Sequence, residues 1–359
     1  MAIDQVRKKR PGVGRLAAGH LAALTLVVAA CSGAASPSAS GVPSAVASSA
    51  PSAAASTLPS PETGTFRMGT EPWLGYGPWW IADSKGLFKT NGLDVKLSSF
   101  DTDDQINAAL ASGQIDGANI ATHTALRLIS SGTPITAVLL LDQSNAADAI
   151  LAGPGISSIA DLKGKKVAYE EGTTSDILLR YALSQNGMTM NDIVKVPTPA
   201  AQAGIAAIAK KVDAAVTYEP YLTAALQQDS GFKLIYKAEQ KPGLIGDVFV
   251  VRNDYLAAHP GQAYALLKSW GAAVDYYRSN TADGQAIIEK AVGANPGDLK
   301  TAFAGVQIYS LAEARQLMTG AYLVTLAEVK KIATDAGIIT KPIDVTKVLA
   351  PQYIQAVAP

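Results

Sequence analysis

The chain has 359 residues, with 30 basic and 30 acidic side chains and a formal net charge of zero. That balance leaves no basic footprint for nucleic acid. The one cysteine, Cys31, leaves no second thiol for a disulfide, a zinc site or a nucleophile, so neither a metal nor a cofactor is expected.

Residues 1–30 read as a leader. Arg7, Lys8, Lys9, Arg10 and Arg15 form a basic start, and Leu21–Ala30 is an apolar run of secretory length, too short to span a membrane stably. It ends in Val28-Ala29-Ala30-Cys31, which resembles a bacterial lipobox with Cys31 as the lipidated new N-terminus. Loss of five basic residues and Asp4 with the leader leaves the remainder at −4. Residues 31–63 follow as a Ser/Ala/Pro-rich tether whose composition buries too little apolar surface to offset ordering entropy. A flexible segment of that length has a typical end-to-end distance of roughly 30 Å.

From Thr65 the pattern alternates strands and helices, which argues for mostly parallel sheets covered by helices. The first strand, Thr65–Gly69, runs into Glu71-Pro-Trp-Leu-Gly-Tyr-Gly-Pro78, a turn-rich loop with aromatic residues that opens a helix. Trp73 and Tyr76 there suit a ligand lip; Trp79 and Trp80 read equally well as core. Further expected elements are a strand at Asp94–Ser98, a helix at Thr102–Ser112, a strand at Gln114–Ile120, a helix at Thr122–Ser130 and a buried strand at Ile135–Leu141. Leu151-Ala-Gly-Pro-Gly155 suggests a boundary. Beyond it, Ile159–Tyr169 reads as a short helical turn, a glycine and a strand, Ile193–Val196 as a strand and Val212–Pro220 as a strand leading into a helix, with helices at Asp176–Asn186 and Ala200–Lys210. Leu244–Arg252 is the expected return strand, and Asp254–Ser279, Thr281–Val292 and Ala321–Ala336 are expected helices.

Two stretches carry a family resemblance. Gly75-Tyr-Gly-Pro-Trp-Trp-Ile-Ala-Asp-Ser-Lys-Gly-Leu-Phe-Lys-Thr-Asn-Gly-Leu-Asp-Val95 resembles the opening of solute-binding proteins of ABC importers, in the nitrate/sulfonate/taurine group. Ile159-Ala-Asp-Leu-Lys-Gly-Lys-Lys-Val167 resembles the start of their second lobe. The resemblance implies a two-lobed type II periplasmic-binding-protein fold. Residues 64–152 and 245–359 would form lobe one and residues 153–244 lobe two, with a cleft and hinge between them. It further implies no enzymatic activity. The expected role is capture of a small solute for an ABC permease and its ATPase, by a monomer held outside the cell membrane through its lipid.

Candidate ligand contacts follow from both readings. Thr173, Thr174 and Ser175 after Gly172 open a helix, where free amides and hydroxyls can hold an anion. Thr122 and His123, with Asn119, lie at a strand's carboxyl end, where ligands gather in open sheets; a lone histidine is more often structural. Asp148, Glu219 and Asp247 match acids that the family places near its cleft, and Glu219 before Pro220 reads equally as a helix cap. An anion cradle with acids describes a taurine-like zwitterion. Acids with Trp73, Tyr76, Trp79 and Tyr218 describe a nitrogenous cation. Arg127, Arg180 and Arg252 are not placed for a pure anion, and the solute stays open at this level. The alternative class is an enzyme or binder of thiamine-pathway pyrimidines on the same fold, whose enzymes depend on a cysteine-rich motif that this sequence lacks.

Overall fold

A computed structural model describes residues 58–228 and 230–357; the leader, Cys31 and most of the tether lie outside them. The described residues form one compact unit. Its eleven described strands are β1 (Thr65–Thr70), β2 (Asp94–Ser99), β3 (Gly117–Ala121), β4 (Ile135–Ser144), β5 (Asp148–Ala152), β6 (Lys166–Tyr169), β7 (Val194–Pro197), β8 (Ala214–Tyr218), β9 (Lys233–Lys237), β10 (Gly246–Arg252) and β11 (Val306–Ile308). They build a six-stranded sheet in the order β11-β4-β10-β3-β1-β2 and a five-stranded sheet in the order β7-β6-β8-β5-β9. Helices cover both sheets, giving the expected two-lobed α/β architecture.

The chain passes to the second sheet between Ser144 and Asp148, and returns between Lys237 and Gly246. The two crossings run side by side: Ser144 N–H donates to Ile245 O at 3.1 Å, and Glu239 N–H donates to Asn145 O. The first crossing lies upstream of the expected boundary at residue 152. Asp148–Ala152 is wholly buried and pairs antiparallel with β8 and β9, so it is an inner strand of the second sheet. Gly153-Pro154-Gly155, which suggested the boundary, is the turn that leaves that strand, with Gly155 at φ +87°. Strand direction also departs from expectation. β1 is parallel to β2 and β3, and β6 is parallel to β7 and β8. The strands flanking the crossings, β5 and β10, run antiparallel to their neighbours.

Lobe one is centred on aromatic packing. Trp79, on the helix Gly77–Ser84, is fully buried, with ring centroids 4.9 Å from Trp270, 5.2 Å from Phe249 and 6.1 Å from Phe88. Its indole N–H donates to Asn119 Oδ1 at 2.8 Å, so the core reading of Trp79 holds. β3 lies in the middle of the sheet. A Cβ at Gly117 would meet the Phe66 ring and Val250 O, each at 2.8 Å, so only glycine fits there.

Two expectations change locally, and the C-terminal end finds its place. The helix expected over 254–279 divides into Asn253–Ala258 and Pro260–Ser279, because a residue before proline is pushed out of helical geometry and Pro260 starts a new helix. Glu62, at the end of the expected tether, caps that second helix by accepting from Gly261 N at 3.0 Å and Gln262 N at 2.9 Å. The C-terminal segment packs on lobe one: Ala350 N–H donates to Ala137 O at 2.9 Å, Ile354 is buried, and Arg315 donates to Ile354 O at 3.2 Å.

Candidate functional site

A cleft enclosing about 570 Å³, part of it open to solvent, lies between the two sheets. The first lobe contributes Glu71, Trp73 and Tyr76 from the loop after β1, Asp103 from a helix start, Asn119–Ala121 from β3, and Ile245 and Asp247 at the return crossing. The second contributes Asp148 from β5, Glu170 and Thr173–Ser175 from the loop after β6, Ala200 from a helix start, and Thr217 and Tyr218 from the end of β8.

Local sequence explains these placements. The residues after β1 and β6 sit at carboxyl ends of parallel strands, the general location of ligand sites in open α/β sheets. Asp103 opens the helix Asp103–Ala111, whose Thr102 hydroxyl accepts from Gln105 N at 3.4 Å; an acid in that first turn suits the helix dipole. Trp73 and Tyr76 bracket a short helical turn and are both buried. The Trp73 indole donates to Asp142 Oδ1 at 3.3 Å, and its ring stands edge-on to Tyr218 with centroids 6.0 Å apart.

Seven of the ten expected contacts line the cleft: Trp73, Tyr76, Asp148, Thr173, Thr174, Ser175 and Asp247. Three lie outside the wall. Thr122 is buried behind it, donating to Gly246 O at 2.7 Å and pairing with the Tyr322 hydroxyl. His123 is buried beside it, and the backbone of Thr173 is its contact across the lobes. Burial, with Arg127 nearby, lowers its pKa to about 3 against that contact, so the ring is neutral. Glu219 caps the helix Tyr221–Gln228, accepting from Thr223 N and Oγ1, both at 3.0 Å. The capping alternative is therefore the correct one for Glu219.

Sequence reasoning missed Glu71, Asp103, Glu170 and Thr217. Glu71 and Glu170 each follow a strand end, which was the available signal; Asp103 looked like an ordinary first-turn acid.

Five carboxyl groups line the cleft, and among the described residues no lysine or arginine does. Burial raises all five pKa values. Asp148 is pushed to about 7, with Glu219 adding to the burial and a hydrogen bond from Ser144 opposing it. Glu170 is likewise pushed to about 7, although it accepts from Ala200 N at 2.9 Å. Glu71 lies well above the carboxylate range through burial and the charges of Asp103 and Glu170. Asp247 does so through burial and the charges of Asp142 and Asp148. Asp103 is raised by burial against the pull of Glu71 and Arg127. Asp103 acts on Glu71 and Asp142 on Asp247, so each pair favours keeping a proton. Glu71 Oε1, Asp142 Oδ2 and Asp148 Oδ2 are buried without a partner among the described residues.

A model of the NMT1-like family matches residues 59–291. A protein of Brucella abortus (strain 2308), named for binding without a stated ligand, is 28% identical over 223 residues, 62% of this chain and 69% of that one. The taurine-binding periplasmic protein of Escherichia coli (strain K12) is 31% identical over 209 residues, 56% of this chain and 63% of its own length. A 4-amino-5-hydroxymethyl-2-methylpyrimidine phosphate synthase of Saccharomyces cerevisiae (strain ATCC 204508 / S288c) is 27% identical over 229 residues, 59% of this chain and 66% of the enzyme. Among solved structures, the periplasmic aliphatic sulphonate binding protein SsuA of Escherichia coli shares the fold with a TM-score of 0.69. It is 21% identical, over 80% of this chain and 92% of that one.

Proposed function

The chain belongs to the NMT1-like family, and from that premise we propose that it is the extracytoplasmic solute-binding component of an ABC importer. The observation that carries this reading is the cleft itself, whose wall is drawn from both lobes while the lobes are joined by two adjacent crossings. A ligand that touches both walls stabilises the closed arrangement by its differential contacts, and closure is what a permease can recognise. The proposed contacts are Trp73, Tyr76 and Asp247 from lobe one, with Asp148, Thr173, Thr174 and Ser175 from lobe two. The solute is small, either sulfonate- or taurine-like or nitrogen-containing.

Lipidation at Cys31 would hold the body at the outer face of the cell membrane, as a monomer that hands its solute to the permease and its ATPase. Binding without turnover is the reading favoured over the pyrimidine synthase chemistry named for the yeast relative, since the chain's single cysteine cannot make a cysteine-rich motif.

A thermal-shift screen tests the proposal. The purified chain is melted with taurine, alkylsulfonates, nitrate, amines, guanidine, urea, choline and thiamine-precursor pyrimidines. A cleft ligand at a hundredfold excess over Kd adds about 2.7 kcal/mol of stability. No shift with any of them would count against solute binding. For the anchor, Cys31→Ser should move the chain from the membrane fraction to the soluble one; equal partitioning of variant and parent would remove that part of the proposal.

A further inference from the structure

We propose that the cleft takes a small dibasic organic cation, with an amino or guanidino group at each end, and that an oxyanion is not its ligand. The inference rests on the solute-binding reading above and narrows it to one chemical class.

The wall offers acceptors. Thr173 Oγ1 donates to Glu170 O at 2.9 Å, Ser175 Oγ to the same oxygen at 3.2 Å, and Thr217 Oγ1 to Ala200 O at 2.6 Å. The Trp73 indole N–H is engaged by Asp142, and Asn119 Nδ2 donates to Gly69 O at 3.2 Å. Gly172 N–H donates to Asp176 Oδ2 at 2.9 Å, and the Ala200 amide at a helix start already holds the carboxylate of Glu170. These donors, though not the amides that open the helix Thr174–Gln185, are thus turned into the protein.

The charge has one sign and two centres. Glu71, Asp103 and Glu170 act on one another in one group; Asp148 and Asp247, with Asp142 behind them, act on one another in the second, and Asp103 also bears on Asp247. Arg127 bears on Asp103 and His123 but lines no part of the cleft, and His123 is neutral. Each centre also presents a buried oxygen without a partner, Glu71 Oε1 at the first and Asp148 Oδ2 at the second, and Asp148 is only 5% exposed. Buried acceptors are ordinarily satisfied, so two orphans on residues that line one cavity point to where ligand N–H groups could be accepted. An ammonium or guanidinium at each group would replace the protons these carboxyls keep and supply charge-assisted donors. Trp73 and Tyr218 flank the space with aromatic surface, which favours a cation further.

The test is calorimetric titration of the purified chain at pH 8 with 1,4-diaminobutane, 1-amino-4-guanidinobutane, n-butylamine, taurine and methanesulfonate. One or both dibasic probes should bind, n-butylamine should be at least about tenfold weaker through loss of one charge-assisted contact, and methanesulfonate should be silent. Glu71→Gln and Asp148→Asn should each weaken the dibasic probe by roughly 10–100-fold while the melting transition stays cooperative. Tighter binding of taurine or methanesulfonate than of the dibasic probes would overturn the inference and leave the importer reading intact. Equal affinity for n-butylamine and 1,4-diaminobutane would overturn the two-centre argument. Silence of all five probes would overturn the inference; the importer reading would fall with it only if the wider solute screen were silent too.

Discussion

Asp148→Asn should stabilise the ligand-free protein, and by an amount that depends on pH. Asp148 is 5% exposed, lines the cleft and keeps one oxygen without a partner. Burial raises its pKa from 3.8 to about 7. Between those values the unfolded chain has released the proton while the folded chain keeps it, so stability from this group is fully present below pH 4 and is lost as pH rises toward 7. At 1.36 kcal/mol per pH unit of difference, the loss approaches about 4 kcal/mol at pH 8. Asparagine fits the same space and has no proton to lose. The variant should match the parent within about 1 kcal/mol near pH 4 and exceed it by about 2–4 kcal/mol at pH 8. For a body of about 300 residues, unfolding entropy near 2.1 cal/mol/K per residue turns 4 kcal/mol into a Tm gain of about 6 °C. Melting parent and variant side by side from pH 4.5 to 8 measures it. A Tm difference that stays flat across that range would mean that Asp148 is hydrated in solution and that burial does not govern its ionisation. The same substitution should weaken binding of a dibasic cation, a gain in stability set against function.

Cation binding should strengthen with pH. Asp148 and Glu170 hold protons up to about pH 7, so a cation must displace them below that. Affinity should rise up to about tenfold per pH unit for each proton released between pH 5 and 7, and go on rising above that as Glu71 and Asp247, held higher still, give up theirs. His123, close to the cleft, is neutral throughout this range and does not contribute to the slope. Titrations in buffers of different ionisation enthalpy would count the protons, and none released would contradict the carboxyl assignments. Gly75→Ala should impair binding, because its new Cβ would collide with the Asp142 carboxylate and the Trp73 ring. We expect a loss of about 1–3 kcal/mol in stability together with a weaker Kd; unchanged values for both would show that this loop yields freely. Trp79→Ala should destabilise by about 3–5 kcal/mol in denaturant melts through loss of the aromatic core, with any binding effect following from stability alone.

The fold was legible because its signals are local. Gly/Pro punctuation, helix caps and apolar runs located most strands and helices, and two quoted stretches carried the lobe pattern. The failures are non-local. Nothing inside Asp148-Ala-Ile-Leu-Ala152 says that its partners are β8 and β9, which are supplied more than sixty residues later, so the glycine-proline turn after it was taken for the boundary. β11 is three residues long, too short for a periodic signal, and is recruited as an edge of β4.

The site divides in the same way. Strand ends identified the neighbourhood of the cleft, but the direction of each side chain depends on where the next helix begins. The helix after β3 starts at Thr122, and both Thr122 and His123 are buried behind the wall, where one meets Gly246 and Tyr322 and the other the backbone of Thr173. Glu219 turned to its own helix for the reason that makes acids good caps. Glu71, Asp103 and Glu170 were passed over because each, alone, resembles a solvated turn or first-turn acid. Their convergence exists only once strand order brings positions 71, 103, 148, 170 and 247 to one cavity. Five carboxyl groups gathered without a lining cation oppose every local rule for a stable interior. A fold holds such a cluster by keeping protons on it, and a ligand that brings its own positive charge is the natural replacement for those protons.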